Sequence, residues 1–372
     1  MEIVLLEPFL TGSHASWAQE YAERSRHQVR ILGLEGRYWK WRMHGGAVSL
    51  ASQFRAAGYR PDLLLATDML DLTTFLALTR DLTAGIPTAI YFHENQLTYP
   101  WSPADTDPAR QRDAHYRFIN YSSALAADAV LFNSDFHRRS FLQHLPVFLK
   151  RFPDHRELAT VDEIALKSRV LALGLNLRAF DAYRVEKPAA GPRKPLLLWN
   201  HRWEYDKNPD DFFQALFHLQ ERQLDFEVAV LGQSYRSTPA IFGVARQRLA
   251  ERIIHWGYVS SFAEYAKWLW RADILPVTSL HDFFGVSVVQ AIYCQTFPLL
   301  PQRLAYPEHV AVEEHPHCYY EGFDDLVSKL EDRCRADGRL PENQLRQSMA
   351  QQYEWSQLVS VYDRTLEEVA LA

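Results

Sequence analysis

The stretch WNHRWEYDKNP, residues 199–209, decides the fold. Directly before it stands an apolar run, Leu196-Leu197-Leu198, of the kind that forms a strand buried on both faces of a parallel sheet. After it, Pro209-Asp210-Asp211 reads as a helix start, with proline in the first turn and acids at the positive end of the dipole. Between strand and helix, Arg202 and Lys207 stand five residues apart in one loop. Two cations at the carboxyl end of a strand, ahead of a helix N-terminus, make an anion site. In an α/β protein the natural anion is a phosphate or diphosphate.

The pattern repeats on both sides of this stretch. Strands are expected at residues 196–199, 227–231, 253–256, 274–277 and 297–300, alternating with helices at 210–222, 241–252, 262–271, 286–294 and 323–335. An earlier array has strands at 2–6, 28–32, 63–66, 88–92 and 129–132. Its helices are expected at 15–26, 49–57, 73–79, 116–126 and 135–144. A Pro/Gly-rich segment, residues 187–192, lies between the arrays. The expected class is α/β, with two doubly wound Rossmann-like domains facing a cleft. Residues 1–180 form the first domain, 181–195 the hinge and 196–345 the second domain. Residues 346–372 form a helix packing back on the first domain.

Bulk properties narrow the function. A chain of 372 residues suits two domains. Its 47% apolar and 23% charged residues are ordinary for a globular protein. A net charge of −6 argues against a generally basic surface but leaves room for a local basic patch. Cys294, Cys318 and Cys334 show no CxxC spacing and no histidine partners at zinc-ligand intervals, so they read as reduced thiols and no metal site is expected. No basic region precedes the short apolar run at 3–6, and no apolar stretch approaches bilayer length. A cytoplasmic protein without a membrane partner is expected, as monomer or homodimer.

Five further segments could carry chemistry. Gly12, Ser13 and His14 follow the first strand; glycine there lets backbone approach a ligand, although a plain βα turn looks the same. FHENQLTYPW, residues 92–101, sets His93, Glu94, Asn95 and Gln96 at a strand's carboxyl end, where imidazole and amide groups suit sugar hydroxyls. Asn133 and Ser134 begin a helix at the same rim, as caps or as ligand contacts. LHDFFGVSVVQA, residues 280–291, combines Asp282, a helix start at Phe284-Gly285-Val286 and Gln290, which fits a sugar held by its hydroxyls. RYWKWRMHGG, residues 37–46, interleaves Arg37, Lys40 and Arg42 with aromatic rings. It reads either as core plus a solvated face or as a nucleic-acid contact.

With these motifs together, the chain resembles the retaining GT-B glycosyltransferases of the large family that includes phosphatidylinositol mannosyltransferase and sucrose synthase. That family carries an Arg and a Lys five apart after the first strand of its C-terminal domain, matched by Arg202 and Lys207. It also carries two glutamates eight apart around a Phe-Gly; here Asp282 and Gln290 stand in those places. GSHASWAQEY, RYWKWRMHGG, FHENQLTYPW, FNSDFHRRSF, WNHRWEYDKNP and HDFFGVSVVQA are more similar still to the branch of tRNA-queuosine α-mannosyltransferases.

The resemblance implies a GDP-mannose donor, no cofactor or metal, and transfer with retention to the cyclopentenediol of queuosine in tRNA. Arg202 and Lys207 would hold the diphosphate and Asp282 the sugar. Phe284, Gly285 and Val286 would reach the sugar through backbone N–H groups, and Gln290 would meet the ribose. Gly12 and Ser13 would lie over the diphosphate, and His93 would face the sugar. The acceptor would meet His14, Glu94, Asn95, Gln96, Arg37, Lys40, Arg42 and Asn133. Two rivals remain: a lipid or small-molecule acceptor, and a noncatalytic tRNA- or nucleotide-binding protein on the same fold.

Overall fold

The computed structural model describes residues 1–103, 105–107, 109, 113–186, 194–234, 238–335 and 343–372. The Pro/Gly-rich segment at 187–192 lies outside the described residues. The chain divides into two compact units, Met1–Leu175 with Tyr353–Ala372, and Asn176–Gln352.

Unit 1 holds a six-stranded parallel sheet ordered β2-β1-β3-β4-β5-β6. Its strands are β1 (Glu2–Leu10), β2 (Gln28–Glu35), β3 (Leu63–Thr67), β4 (Thr88–Phe92), β5 (Ala129–Phe132) and β6 (Ser168–Val170). β3, β4 and β5 are buried at every residue, as expected of strands covered by helices on both faces. Around them run α1 (Gly12–Arg24), α2 (Trp39–Ala57), α3 (Leu72–Thr83), α4 (Asp113–Ala126), α5 (Asp135–Leu149) and α6 (Thr160–Leu166). The three-residue β6 is too short to show a pattern in the sequence.

Two helices begin earlier than their apolar periodicity suggests. Gly12-Ser13-His14 is not a turn before α1 but its first turn, with Gly12 at φ +53°, a conformation in which glycine carries no Cβ penalty. α2 starts at Trp39, ten residues ahead of the apolar stripe at 49–57. Gly45 and Gly46 both allow close packing inside the helix. A Cβ on Gly46 would lie 2.8 Å from Pro8, and one on Gly45 would lie 2.5 Å from the Trp41 indole.

The C-terminal helix α14 (Trp355–Leu371) belongs to unit 1. The Leu175 N–H donates to the Tyr353 carbonyl, and the Trp355 N–H donates to the Leu175 carbonyl. Trp355 lies over Gly174, where a Cβ would meet the indole at 2.5 Å. Tyr362 accepts from Trp17 Nε1 at 3.1 Å and donates to the Ala172 carbonyl at 2.8 Å. Asp363 accepts from Tyr21 Oη, Ser25 Oγ and the Arg26 N–H. Without these partners the amphipathic helix would have no sheet face to cover.

Unit 2 repeats the plan with a parallel sheet ordered β12-β11-β10-β7-β8-β9. Its strands are β7 (Leu196–Trp199), β8 (Glu227–Leu231), β9 (Ile253–Gly257), β10 (Ile274–Pro276), β11 (Phe297–Pro301) and β12 (Tyr319–Tyr320). The helices are α7 (Pro209–Glu221), α8 (Ile241–Arg248), α9 (Phe262–Arg271), α10 (Val286–Tyr293), α11 (Tyr306–His309), α12 (Gly322–Arg335) and α13 (Asn343–Tyr353), whose last residue already counts with unit 1. In each sheet the strand order reverses once, between β1 and β3 and between β7 and β10. Ligands of open α/β sheets bind outside the carboxyl ends of the strands at that reversal.

Candidate functional site

The reversal in unit 2 brings the loops after β7 and β10 together. Asn208 adopts a left-handed φ of +50° and caps α7 by accepting from the Asp211 N–H, with Pro209 at the first helical position. That cap folds the preceding loop inward, and Thr278 Oγ1 ties it to the β10 side by donating to the Lys207 and Asn208 carbonyls. Lys207 is therefore buried. Its Nζ lies 3.0 Å from Asp282 Oδ1 and 3.1 Å from Asp206 Oδ2, and donates to the His281 carbonyl at 2.7 Å. Asp282 also accepts from Tyr306 Oη at 2.7 Å.

Burial alone would push the Asp282 carboxyl up, but Lys207 beside it holds it down at about 2. Burial likewise disfavours charged Lys207, and Asp282 and Asp206 outweigh it, so its pKa is raised. Both groups are thus held charged. Each Asp282 oxygen keeps a second acceptor position for a ligand hydroxyl. Arg202 differs: its side chain is 48% exposed and pairs with Glu204 at 3.2 Å. The structure brings Lys207 and Asp282 together, a pairing that sequence spacing does not show.

Gly285 at φ +89° starts α10, and a Cβ there would approach Tyr306 to 3.1 Å. Val286 follows in the first turn of α10, where the Val288 and Val289 N–H groups donate to the Gly285 carbonyl. Gln290, one turn along, accepts from Tyr265 Oη at 2.9 Å. His201 lies behind this turn, 3.1 Å from Ser287 Oγ. Burial lowers the pKa of His201 and of His281 to about 4, so both are neutral at pH 7.

In unit 1 the corresponding rim carries His93, after β4. Its N–H donates to Asp68 Oδ1 at 2.7 Å and its carbonyl accepts from Asn133 Nδ2 at 2.9 Å. Its ring stacks 4.2 Å from that of His14, in the first turn of α1. His14 Nδ1 lies 2.9 Å from Glu7 Oε2, and Glu7 is fully buried. Burial by itself would lower the His14 pKa; the charge and hydrogen bond of Glu7 reverse this and raise it to about 9. Burial and the neighbouring His14 and His137 push His93 well down, so it is the neutral member of the pair. Among the described residues Glu7, His14 and His93 form a group whose ligand atoms lie within 4.8 Å of one another, a spacing that could hold a metal ion.

Several of the polar residues expected to contact an acceptor are engaged inside the unit. Asn95 Oδ1 accepts from the N–H groups of Leu97 and Thr98 and shapes the loop. Asn133 bonds the His93 carbonyl and lies 2.9 Å from His137 Nδ1. Gln96 donates to Glu94 Oε1 at 3.1 Å. Lys40 pairs with Asp105 at 2.7 Å and with Asp107. Arg37 pairs with Glu35 at 2.7 Å, both well exposed, and Arg42 Nε donates to the Glu35 carbonyl. Gly12 has open space where a Cβ would stand, and Ser13 beside it is exposed.

Glu7 and Asp68 are absent from the sequence-based set. Each ends an apolar segment, Glu7 in LLEP and Asp68 in LLLATD, where a buried carboxylate is unusual without a partner. That mismatch is the signal that marks them.

Two doubly wound parallel sheets with sites at their carboxyl edges define the GT-B class of glycosyltransferases, and solved members share the fold. Sucrose-phosphate synthase from Thermosynechococcus elongatus superposes with a TM-score of 0.69 at 13% identity, covering 99% of each chain. The UDP-forming α,α-trehalose-phosphate synthase from Burkholderia xenovorans gives 0.65 at 12% identity over 100% of each. The family model tRNA-queuosine alpha-mannosyltransferase N-terminal matches residues 2–175. A tRNA-queuosine alpha-mannosyltransferase of Drosophila melanogaster is 35% identical over 340 residues, 90% of this chain and 87% of that protein. A GDP-mannose-dependent alpha-(1-6)-phosphatidylinositol dimannoside mannosyltransferase of Mycobacterium tuberculosis is 23% identical over 259 residues, 68% of this chain and 60% of that protein. The chain belongs to the tRNA-queuosine alpha-mannosyltransferase family. Among its described residues no helix is long and apolar enough to cross a membrane.

Proposed function

We propose that this protein transfers mannose from GDP-mannose to the cyclopentenediol of queuosine at the wobble position of tRNA, of the tRNA-Asp type, with retention of the α configuration. The observation that carries the reading is the match to the Drosophila enzyme, which runs through both units at 35% identity. The donor is supported by the name of the mycobacterial relative, which is GDP-mannose-dependent. A cytoplasmic location goes with this substrate.

Unit 2 would hold the donor. Arg202 and Lys207 meet the diphosphate, and the N–H groups at the start of α10 add to the positive field there. Phe284, Gly285 and Val286 offer backbone to the sugar, Asp282 accepts from its hydroxyls, and Gln290 accepts or donates to the ribose. An amide in place of a carboxylate keeps two hydrogen bonds but loses their charge-assisted strength. In unit 1, Gly12 and Ser13 would serve the diphosphate and His93 the sugar. His14, Glu94, Gln96, Arg37 and Arg42 serve the acceptor. Asn133 and Lys40 act by shaping those groups, since their own polar atoms are engaged, and Asn95 shapes its loop through Oδ1.

The bond from the anomeric carbon to the β-phosphate oxygen breaks as charge grows on GDP. A queuosine hydroxyl bonds the same face of that carbon, and its proton passes to the departing phosphate oxygen. The step needs no protein nucleophile, and two cations with a helix start meet the leaving charge without a metal. The Glu7–His14 ion pair, neutral as a whole, then holds the His14 ring against neutral His93. Incubation with queuosine-containing tRNA and a panel of nucleotide sugars, followed by nucleoside mass spectrometry, tests the reading. A hexose on queuosine with GDP-mannose alone is expected; transfer from another sugar nucleotide instead would refute the donor.

A further inference from the structure

Two large rings at the start of α2 stand in water. Tyr38 is 79% exposed and Trp41 63% exposed, in a unit whose other described tryptophans and tyrosines are buried or half-buried. Both positions carry a structural cost. Tyr38 holds a left-handed φ of +52°, a region that favours glycine and asparagine. Trp41 lies along its own helix over Gly45, where any Cβ would come within 2.5 Å of the indole. The helix therefore accepts a glycine in its interior, which costs stability relative to alanine, and gains room for an exposed ring.

The pair borders the unit 1 rim already described. β2 lies beside β1 in a parallel sheet, so the segment after β2 emerges at the same edge as Gly12 and His14. The two loops touch: a Cβ on Gly36 would lie 2.1 Å from the Thr11 side chain. The flanking cations differ in availability. Lys40 is tied to Asp105 and Asp107 beneath the rings of Trp39 and Trp101, while Arg37 and Arg42 border the exposed face together with Glu35. Asp105 and Asp107 offset the charge of Lys40 and Glu35 that of Arg37, so this exposed face carries little net positive charge to draw phosphates. Exposed rings with modest positive charge instead suit flat, uncharged faces, and unpaired bases present such faces whatever their identity.

We propose that Tyr38 and Trp41 form a stacking platform for unpaired nucleobases of the RNA acceptor. The proposal rests on the reading that the acceptor is a tRNA, and adds which of its groups this face takes and how. Stacking, rather than ion pairing, supplies the affinity here, and Gly45 sets the height of the indole.

The test is direct binding of queuosine-containing tRNA across a salt series, with tRNA KM and kcat measured in parallel. Trp41→Ala should weaken binding on the order of ten-fold, the usual range for one stacked base. The loss should fall in KM, and the salt slope should stay unchanged because no phosphate contact is removed. Tyr38→Ala should act in the same direction. Gly45→Ala improves helix propensity, so it should fold at least as well, yet its methyl displaces the indole and should weaken binding. In a Trp41→Ala background Gly45→Ala should add nothing. Unchanged tRNA binding in Trp41→Ala and in the Tyr38→Ala/Trp41→Ala double variant would overturn the platform while leaving the function reading intact. A loss of binding accompanied by a flatter salt slope would overturn it in favour of phosphate contact. A wild-type chain that binds the tRNA but transfers no sugar would contradict the function reading and leave the platform standing; one that does not bind it would contradict both.

Discussion

At the scale of single residues, the two cations of the donor loop divide their work. Lys207 is a buried charge compensated by Asp206 and Asp282, whereas Arg202 is half exposed and pairs with Glu204. Removing one member of a buried pair leaves the other uncompensated and costs roughly 3–5 kcal/mol; an exposed pair contributes about 1 kcal/mol or less. Arg202→Ala should therefore lose about 2–4 kcal/mol of transition-state stabilisation with an almost unchanged melting temperature. Lys207→Ala should lose both turnover and stability. Equal melting losses in the two variants would contradict this division, and normal turnover in both would remove the diphosphate role.

His14 offers a pH signature at the same scale. Its folded pKa of about 9 lies above the ordinary 6.5, so the Glu7 pair stabilises fully below about pH 6.5 and is lost as pH rises through about 9. Glu7→Gln should flatten the melting temperature between those limits. The same decline in the variant would place the titration elsewhere. Arg202, Lys207 and Asp282 were readable because charged residues in loops after apolar strands have few structural explanations. The bonds between them were not, since Lys207 and Asp282 lie far apart in sequence and meet only through the β7–β10 pairing.

At the scale of elements, every long buried strand was readable and the short edges were not. β6 and β12 have three and two residues, below any periodic signal. The start of α2 was hidden by Gly45-Gly46, whose lack of side chains serves packing against Trp41 and Pro8 rather than a turn. α14 shows how a terminal helix becomes part of a domain to which it is not adjacent in sequence. Tyr362 Oη accepts from Trp17 Nε1 and donates to the Ala172 carbonyl, both inside unit 1. Tyr362→Phe leaves that buried indole N–H unsatisfied and should destabilise unit 1 by about 1–3 kcal/mol. A melting temperature equal to wild type would show that the Tyr362 hydroxyl contributes nothing to the docking of α14.

At the scale of the whole molecule, the two arrays were readable from alternation alone, and the family from long motifs that fall in the loops at the carboxyl edges. What composition could not show is how unevenly the titrating groups are held. His201, His281 and His309 of unit 2 have pKa values of about 4, lowered by burial. Unfolding lets each take up a proton at about 6.5, so stability should fall as pH drops from about 6.5 to 4. Denaturant titrations at a series of pH values check this, and a flat profile across that window would contradict the buried neutral assignment.

Queuosine as the acceptor is tested by supplying labelled GDP-mannose with two preparations of one tRNA, one carrying queuosine and one carrying guanosine at the wobble position. Label is expected in the queuosine tRNA alone, released as mannosylated queuosine on digestion. Equal label in both tRNAs, or label in neither while a lipid acceptor is mannosylated, would contradict it.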